Sequence, residues 1–82
     1  MDIEQDIKRF LEKTFLVEFG DKVTSSSDLF QLGYIDSYGY IELIKHLEKA
    51  YSIEISDEEL LSGVLVSVNE LVEFVEDRMA EA

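Results

Sequence analysis

The sequence contains no cysteine, which excludes disulfides and thiolate metal sites and leaves the redox compartment undecided. Bases are scarce as well, seven against nineteen acids. The resulting formal charge of −12 argues against nucleic acid or an anionic membrane surface as a ligand, and for partners that bear basic patches. No apolar run approaches the roughly 20 residues of a membrane span, and the acidic start MDIEQD does not resemble a secretion signal. A soluble cytoplasmic protein without a membrane span is expected. Histidine occurs once, and His46 with Ser37 and Asp36 invites comparison with a hydrolytic triad. The spacing argues against it: nine residues of helix separate His46 from Ser37 by roughly 13 Å and put them on different faces. No glycine-rich elbow surrounds Ser37 either, so no catalytic residue is assigned and the chain is expected not to be an enzyme.

What is present is the patterning of a small helical domain. Eighty-two residues allow one domain, 1–82, and the apolar content is too high for an acidic disordered tail. A chain this short buries only about 60% of its unfolded surface, so modest stability follows. In residues 2–16, Ile3, Ile7, Phe10, Leu11 and Phe15 recur at helical steps, with Asp2, Glu4 and Asp6 near the N-terminus where negative charge suits the helix dipole. Residues 17–35 carry turn chemistry around Gly20, the Thr24–Asp28 run and Gly33, and they read as an ordered crossover with one helical turn near 28–31. A second helix is expected over 37–51, with Ile41, Ile44, Leu47 and Tyr51 on its core side and Glu42, Lys45, His46, Glu48 and Lys49 toward solvent or partners.

The remainder is read in the same way. SIEIS at 52–56 is an extended connector that buries Ile53 and Ile55, because a lone strand has nothing to pair with. Ser56 with Glu59, and Ser67 with Glu70, are capping boxes that open a short helix at 57–62 and a last helix at 67–80. The last helix presents Val68, Leu71, Val72, Val75 and Met79 inward, with Phe74 on its edge. The acids Glu54, Asp57, Glu58 and Glu59 lack the ligand spacing and central glycine of a calcium loop, and no metal site is assigned.

The stretch Asp28–Leu47, DLFQLGYIDSYGYIELIKHL, is the organising one. It delivers Asp36 and Ser37 to the start of the second helix, where free N–H groups and the helix dipole suit a bound or attached phosphate. Taken alone the pair is a plain N-cap worth about 1 kcal/mol.

The wider pattern is more specific. Asp28-Leu29-Phe30, Leu32-Gly33, Ile35-Asp36-Ser37, Glu42-Leu43 and Leu47-Glu48 resemble the prosthetic-group segment of acyl carrier proteins. The likeness runs on through Tyr51, Ile53-Glu54-Ile55 and Asp57-Glu58-Glu59 to Ser67-Val68. The resemblance implies an all-α bundle of three long helices and one short helix, with a long loop between the first two. It also implies that Ser37 carries 4′-phosphopantetheine covalently, and that Asp36 helps engage the phosphopantetheinyl transferase and its metal ion. A cofactor that brings its own thiol fits a chain that has none.

Partner recognition is then expected from Tyr38, Ile41, Glu42, Lys45 and Glu48. The implied function is an acyl carrier that shuttles thioester-bound intermediates, as a monomer, between a loading ligase and downstream synthases or transferases of fatty-acid, lipid or secondary-metabolite synthesis. Several residues depart from that pattern. Gly39 and Lys49 stand where fatty-acid carriers commonly have acids, Lys45 where they expose an apolar residue, and Tyr38 replaces the usual leucine after the modified serine. The extra residue in Gly33-Tyr34-Ile35-Asp36-Ser37 is similar to aminoacyl carriers, including D-alanyl carrier proteins, which form the alternative reading. A second alternative is an acidic helical interaction module in which Ser37 stays unmodified.

Overall fold

The amphipathic segments condense around one apolar cluster. The computed structural model describes residues 2–56, 58–59 and 65–81, with three long helices among them: α1 (Ile3–Phe15), α2 (Ser37–Tyr51) and α3 (Val68–Glu81). The described residues contain no strand. α3 packs against both α1 and α2.

Helix α1 starts where the Asp2 carboxylate accepts the Glu4 N–H at 3.1 Å, and Glu4 and Asp6 occupy its positive end. Ile7 and Leu11 are buried, while Ile3, Phe10 and Phe15 pack on the margin of the same cluster. The inward stripe of α2 is Tyr40, Leu43, Ile44 and Leu47, an unbroken i, i+3, i+4, i+7 row. Ile41, expected on that side, lies about 100° further round the helix and is 47% exposed. Tyr40 takes the inward place in line with Leu43, Ile44 and Leu47, and its buried hydroxyl is satisfied there, accepting the Leu65 N–H at 3.1 Å.

In α3, Val68, Leu71 and Val75 are fully buried and Val72 and Phe74 partly so, but Met79 is 47% exposed. The inward row thus ends at Val75, one turn short of the expectation. Each fully buried Leu, Ile or Val contributes roughly 1.5–3 kcal/mol through surface withdrawn from water.

The crossover is ordered by its own side chains. Leu29 is fully buried, donates its N–H to Val66 O at 2.9 Å, and accepts from the N–H groups of Tyr34 and Ile35 on its carbonyl. Asn69 N–H reaches back to Ser25 O at 2.9 Å, so the loop is fastened to the start of α3 at two points. The helical turn expected near 28–31 is present as a single turn, the Leu32 N–H donating to the Asp28 carbonyl at 3.1 Å, and further turns carry it to residue 33. The Asp28 carboxylate takes both the Phe30 and Gln31 N–H groups, and Gly33 at φ +85° reverses the chain before a second helical bond forms.

After α2, Ser52 turns the chain with left-handed backbone at φ 52°, and the connector that follows buries Ile53 and half-buries Ile55 as expected. Ser56 and Glu59 form the reciprocal capping contacts, Glu59 N–H to Ser56 Oγ and Ser56 N–H to Glu59 Oε1, both at 3.3 Å. The short helix expected at 57–62 lies outside the described residues except for Glu58 and Glu59, as does most of the 60–66 run. At the start of α3, Glu70 N–H donates to Ser67 Oγ at 3.3 Å. Arg78 fastens α3 to the connector through the Glu54 carbonyl at 3.0 Å and an ion pair with Glu59.

Two ring contacts join α1 to α2. Phe10 and His46 stack with centroids 3.9 Å apart and planes 12° from parallel, so His46 is half-buried and not the plain surface residue expected from its spacing. Tyr51 Oη donates to Asp6 Oδ2 at 3.1 Å. Burial, reinforced by the Asp6 carboxylate, raises the Tyr51 phenol from 10.0 to about 12. The fold therefore favours the neutral phenol. Its contribution to stability is complete below pH 10.0 and is lost as pH rises through about 12. In denaturant titrations across that window Tyr51→Phe is expected to flatten the alkaline loss of stability, and an unchanged slope would rule Tyr51 out as its source.

Candidate functional site

Asp36 and Ser37 divide the start of α2 between them. Asp36 is the N-cap, with extended backbone and its Oδ1 accepting the Gly39 N–H at 2.8 Å. Ser37 is the first helical residue, exposed, and its hydroxyl makes no hydrogen bond among the described residues. A serine that served as the cap would have its oxygen committed to a backbone N–H. Here that need is met by the neighbouring carboxylate, and the Ser37 Oγ stands free at the positive end of the helix.

Gly39 explains the local shape. It is buried, and a Cβ built on it would lie 2.6 Å from Phe15 Cε1 and 3.2 Å from Phe15 Cζ. The Phe15 ring, at the last position of α1, occupies the space that any other residue at 39 would need. Phe15 also meets Phe10 edge to face, centroids 6.0 Å apart and planes at 74°. An aromatic seam thus runs from Gly39 through Phe15 and Phe10 to His46.

Beside Ser37 the seam opens into a depression of about 550 Å³. Phe15 and Gly39 line it from the two helices, and Gly33 and Tyr34 from the loop. Asp36 and Tyr38, the two neighbours of Ser37, line it too, followed along α2 by Ile41, Glu42 and Lys45. Tyr38 is 88% exposed, which is unusual for a ring of that size.

The structure therefore brings Asp36, Tyr38, Ile41, Glu42 and Lys45 together around the serine. It does not bring Glu48 there: that side chain is half-buried, and its Oε2 accepts the Ile55 N–H at 2.9 Å. His46 belongs to the other end of the seam, beside Asp6, Arg9 and Tyr51. Gly33 and Tyr34 belong to the segment singled out from sequence, whereas Phe15 was read only as core. A glycine at the third position of a helix was the available signal, because it indicates that something else fills the Cβ space.

Comparison with known proteins agrees with this geometry. The family described as phosphopantetheine attachment site matches residues 11–75. A D-alanyl carrier protein of Streptococcus sanguinis (strain SK36) is 32% identical over 75 residues, covering 92% of each chain. D-alanyl carrier proteins of Streptococcus mutans serotype c (strain ATCC 700610 / UA159) and Streptococcus pyogenes serotype M5 (strain Manfredo) are each 29% identical, over 73 and 77 residues. These alignments cover 89% and 94% of this chain, and 90% and 95% of the relatives.

The cap and the seam can be tested separately. Asp36→Ala is expected to cost about 1 kcal/mol. In a chain of this size that corresponds to a fall in Tm of roughly 4–8 °C per kcal/mol, and Asp36→Asn should keep most of it. Gly39→Ala gains up to about 1 kcal/mol of helix propensity. Displacing the Phe15 ring costs about 1–3 kcal/mol, so a net destabilisation is expected. A smaller ring-site residue should relieve it, making Gly39→Ala less costly in a Phe15→Leu background, and additive effects would show that the two positions are uncoupled.

Proposed function

The chain belongs to the phosphopantetheine attachment-site family, and on that premise we propose that it carries an aminoacyl group of the D-alanyl kind on a 4′-phosphopantetheine joined to Ser37. It is a carrier protein and not a catalyst. When attached, the prosthetic group supplies the thiol on which cargo is held as a thioester, chemistry that this cysteine-free chain lacks.

One observation carries the choice of residue: Asp36 takes the cap and leaves the Ser37 hydroxyl exposed and unbonded at the first position of α2. A phosphodiester at that atom sits where unsatisfied N–H groups and the helix dipole stabilise negative charge. Asp36 is the proposed contact for the transferase that installs the group. Tyr38, Ile41, Glu42 and Lys45 form the exposed face that a loading ligase and a downstream transferase read. Glu48 is left out of that face because its carboxylate is committed to Ile55.

The cargo reading follows the alternative and not the acyl carrier of fatty-acid or lipid synthesis. The similar relatives carry the name D-alanyl carrier protein. In α2 the acids Glu42 and Glu48 are balanced by Lys45 and Lys49, unlike a uniformly acidic docking helix. A short ammonium-bearing cargo also has no reason to enter the apolar cluster, since burying an unpaired charge there is costly. No helix among the described residues is long and apolar enough to cross a membrane. Loading draws on coenzyme A and an activated amino acid, so the cytoplasm is the proposed place of loading, with the carrier acting as a monomer.

The test has two stages, both read by intact mass. Incubation with coenzyme A, magnesium and a broad-specificity phosphopantetheinyl transferase should add one phosphopantetheine to the parent and none to Ser37→Ala. No addition to the folded parent would leave the acidic interaction module as the better reading. The loaded form, given ATP and a D-alanine-activating ligase, should then gain one alanyl group. Preferential gain of a fatty acyl group from an acyl-loading enzyme would reverse the choice of cargo.

A further inference from the structure

The depression beside Ser37 is the concave surface nearest the serine. The other hollows are poorer candidates. The one near His46 holds about 290 Å³, and its aromatic faces are already stacked on each other. The one between α1 and α3 has Asp2, Glu4 and Glu76 among its five lining residues.

We propose that this depression, floored by Phe15, is the resting seat of the pantetheine arm carried on Ser37. The inference rests on the attachment proposed above. Its occupant is chosen by continuity, because the residues on either side of Ser37 both line the hollow, so a chain rooted on that serine starts at its rim. A tether of this kind gives an effective concentration on the order of millimolar, and even a weak contact is then substantially populated.

The lining suits the chemistry of the arm, a neutral and flexible chain of gem-dimethyl, hydroxyl and two amide groups. Phe15, Tyr34 and Ile41 offer apolar surface for the methyl and methylene groups, and the volume falls within the range of small-molecule sites. Glu42 and Lys45 at the rim offer an acceptor and a donor for amides without an excess of either charge. The seat also covers what the fold leaves exposed, Tyr38 at 88% and Ile41 at 47%.

Gly39 gives the seat its depth. With no Cβ in the way, the Phe15 ring packs against α2; any side chain at 39 would displace that ring, which lines the hollow. Gly39 and Phe15 are therefore positioning residues for the arm and not merely for the fold.

The experiment compares the full chain before and after phosphopantetheine transfer from coenzyme A by NMR. Seating predicts amide shift changes at Gly33, Tyr34 and Ile41 beyond those at residues 36–38. It also predicts nuclear Overhauser contacts from the gem-dimethyl protons of the arm to the Phe15 and Tyr34 rings. Ile41→Ser, an exposed change that spares the core, should reduce the shifts at Gly33 and Tyr34 by roughly half or more, as a population near balance implies. Shift changes confined to residues 36–38, or contacts from the methyls to any other face, would overturn the seat while leaving the carrier reading intact. Failure of transfer to Ser37 would overturn both.

Discussion

The position of Ser37 depends on how the segment between α1 and α2 is held, and Leu29 holds it. Its side chain is fully buried, its N–H is bonded to Val66 and its carbonyl takes two N–H groups from the far side of the turn. A long crossover loses much conformational entropy on ordering, about 1–2 kcal/mol per residue. Burial of one leucine does not offset that by itself. What Leu29 does is close the loop at its middle, so that Val17, Val23 and Ile35 are drawn into the same cluster and each shorter arc is ordered by its own buried residue. The chain then enters α2 at a fixed point and in a fixed direction.

At that point two needs compete for the same few atoms. A helix N-terminus wants an oxygen for its free N–H groups, and an attachment site wants an oxygen left alone. Asp36 supplies the first, and Ser37 beside it is left exposed with its hydroxyl unbonded among the described residues. The close approach of Phe15 to Gly39 then brings the end of α1 beside the serine, so the site is built from both helices and the loop, with the cap as its fixed element.

Much of this is legible in the sequence. The helix spans, the two capping boxes and the serine at a helix start come from period and cap chemistry, which are local. What was not legible is where one side chain settles against another. Ile41 and Tyr40 are neighbours in α2; Tyr40 lies on the row of Leu43, Ile44 and Leu47, and the partner that lets its hydroxyl be buried there, Leu65, is twenty-five residues away. His46 read as surface because its own helix says nothing of Phe10 across the interface. Met79 continued the inward row on paper, but the core it would meet ends at Val75. Around Ser37, the helix start was legible and the approach of Phe15 was not, since Phe15 comes beside Gly39 only through the fold.

The distribution of charge separates long range from short. Two acids and two bases cancel within α2, so the whole formal charge of −12 is carried by residues outside that helix. A basic patch on another protein is drawn from a distance by those outer acids, whereas at contact α2 itself presents both signs in equal number. Attraction and discrimination thus reside in different parts of the chain.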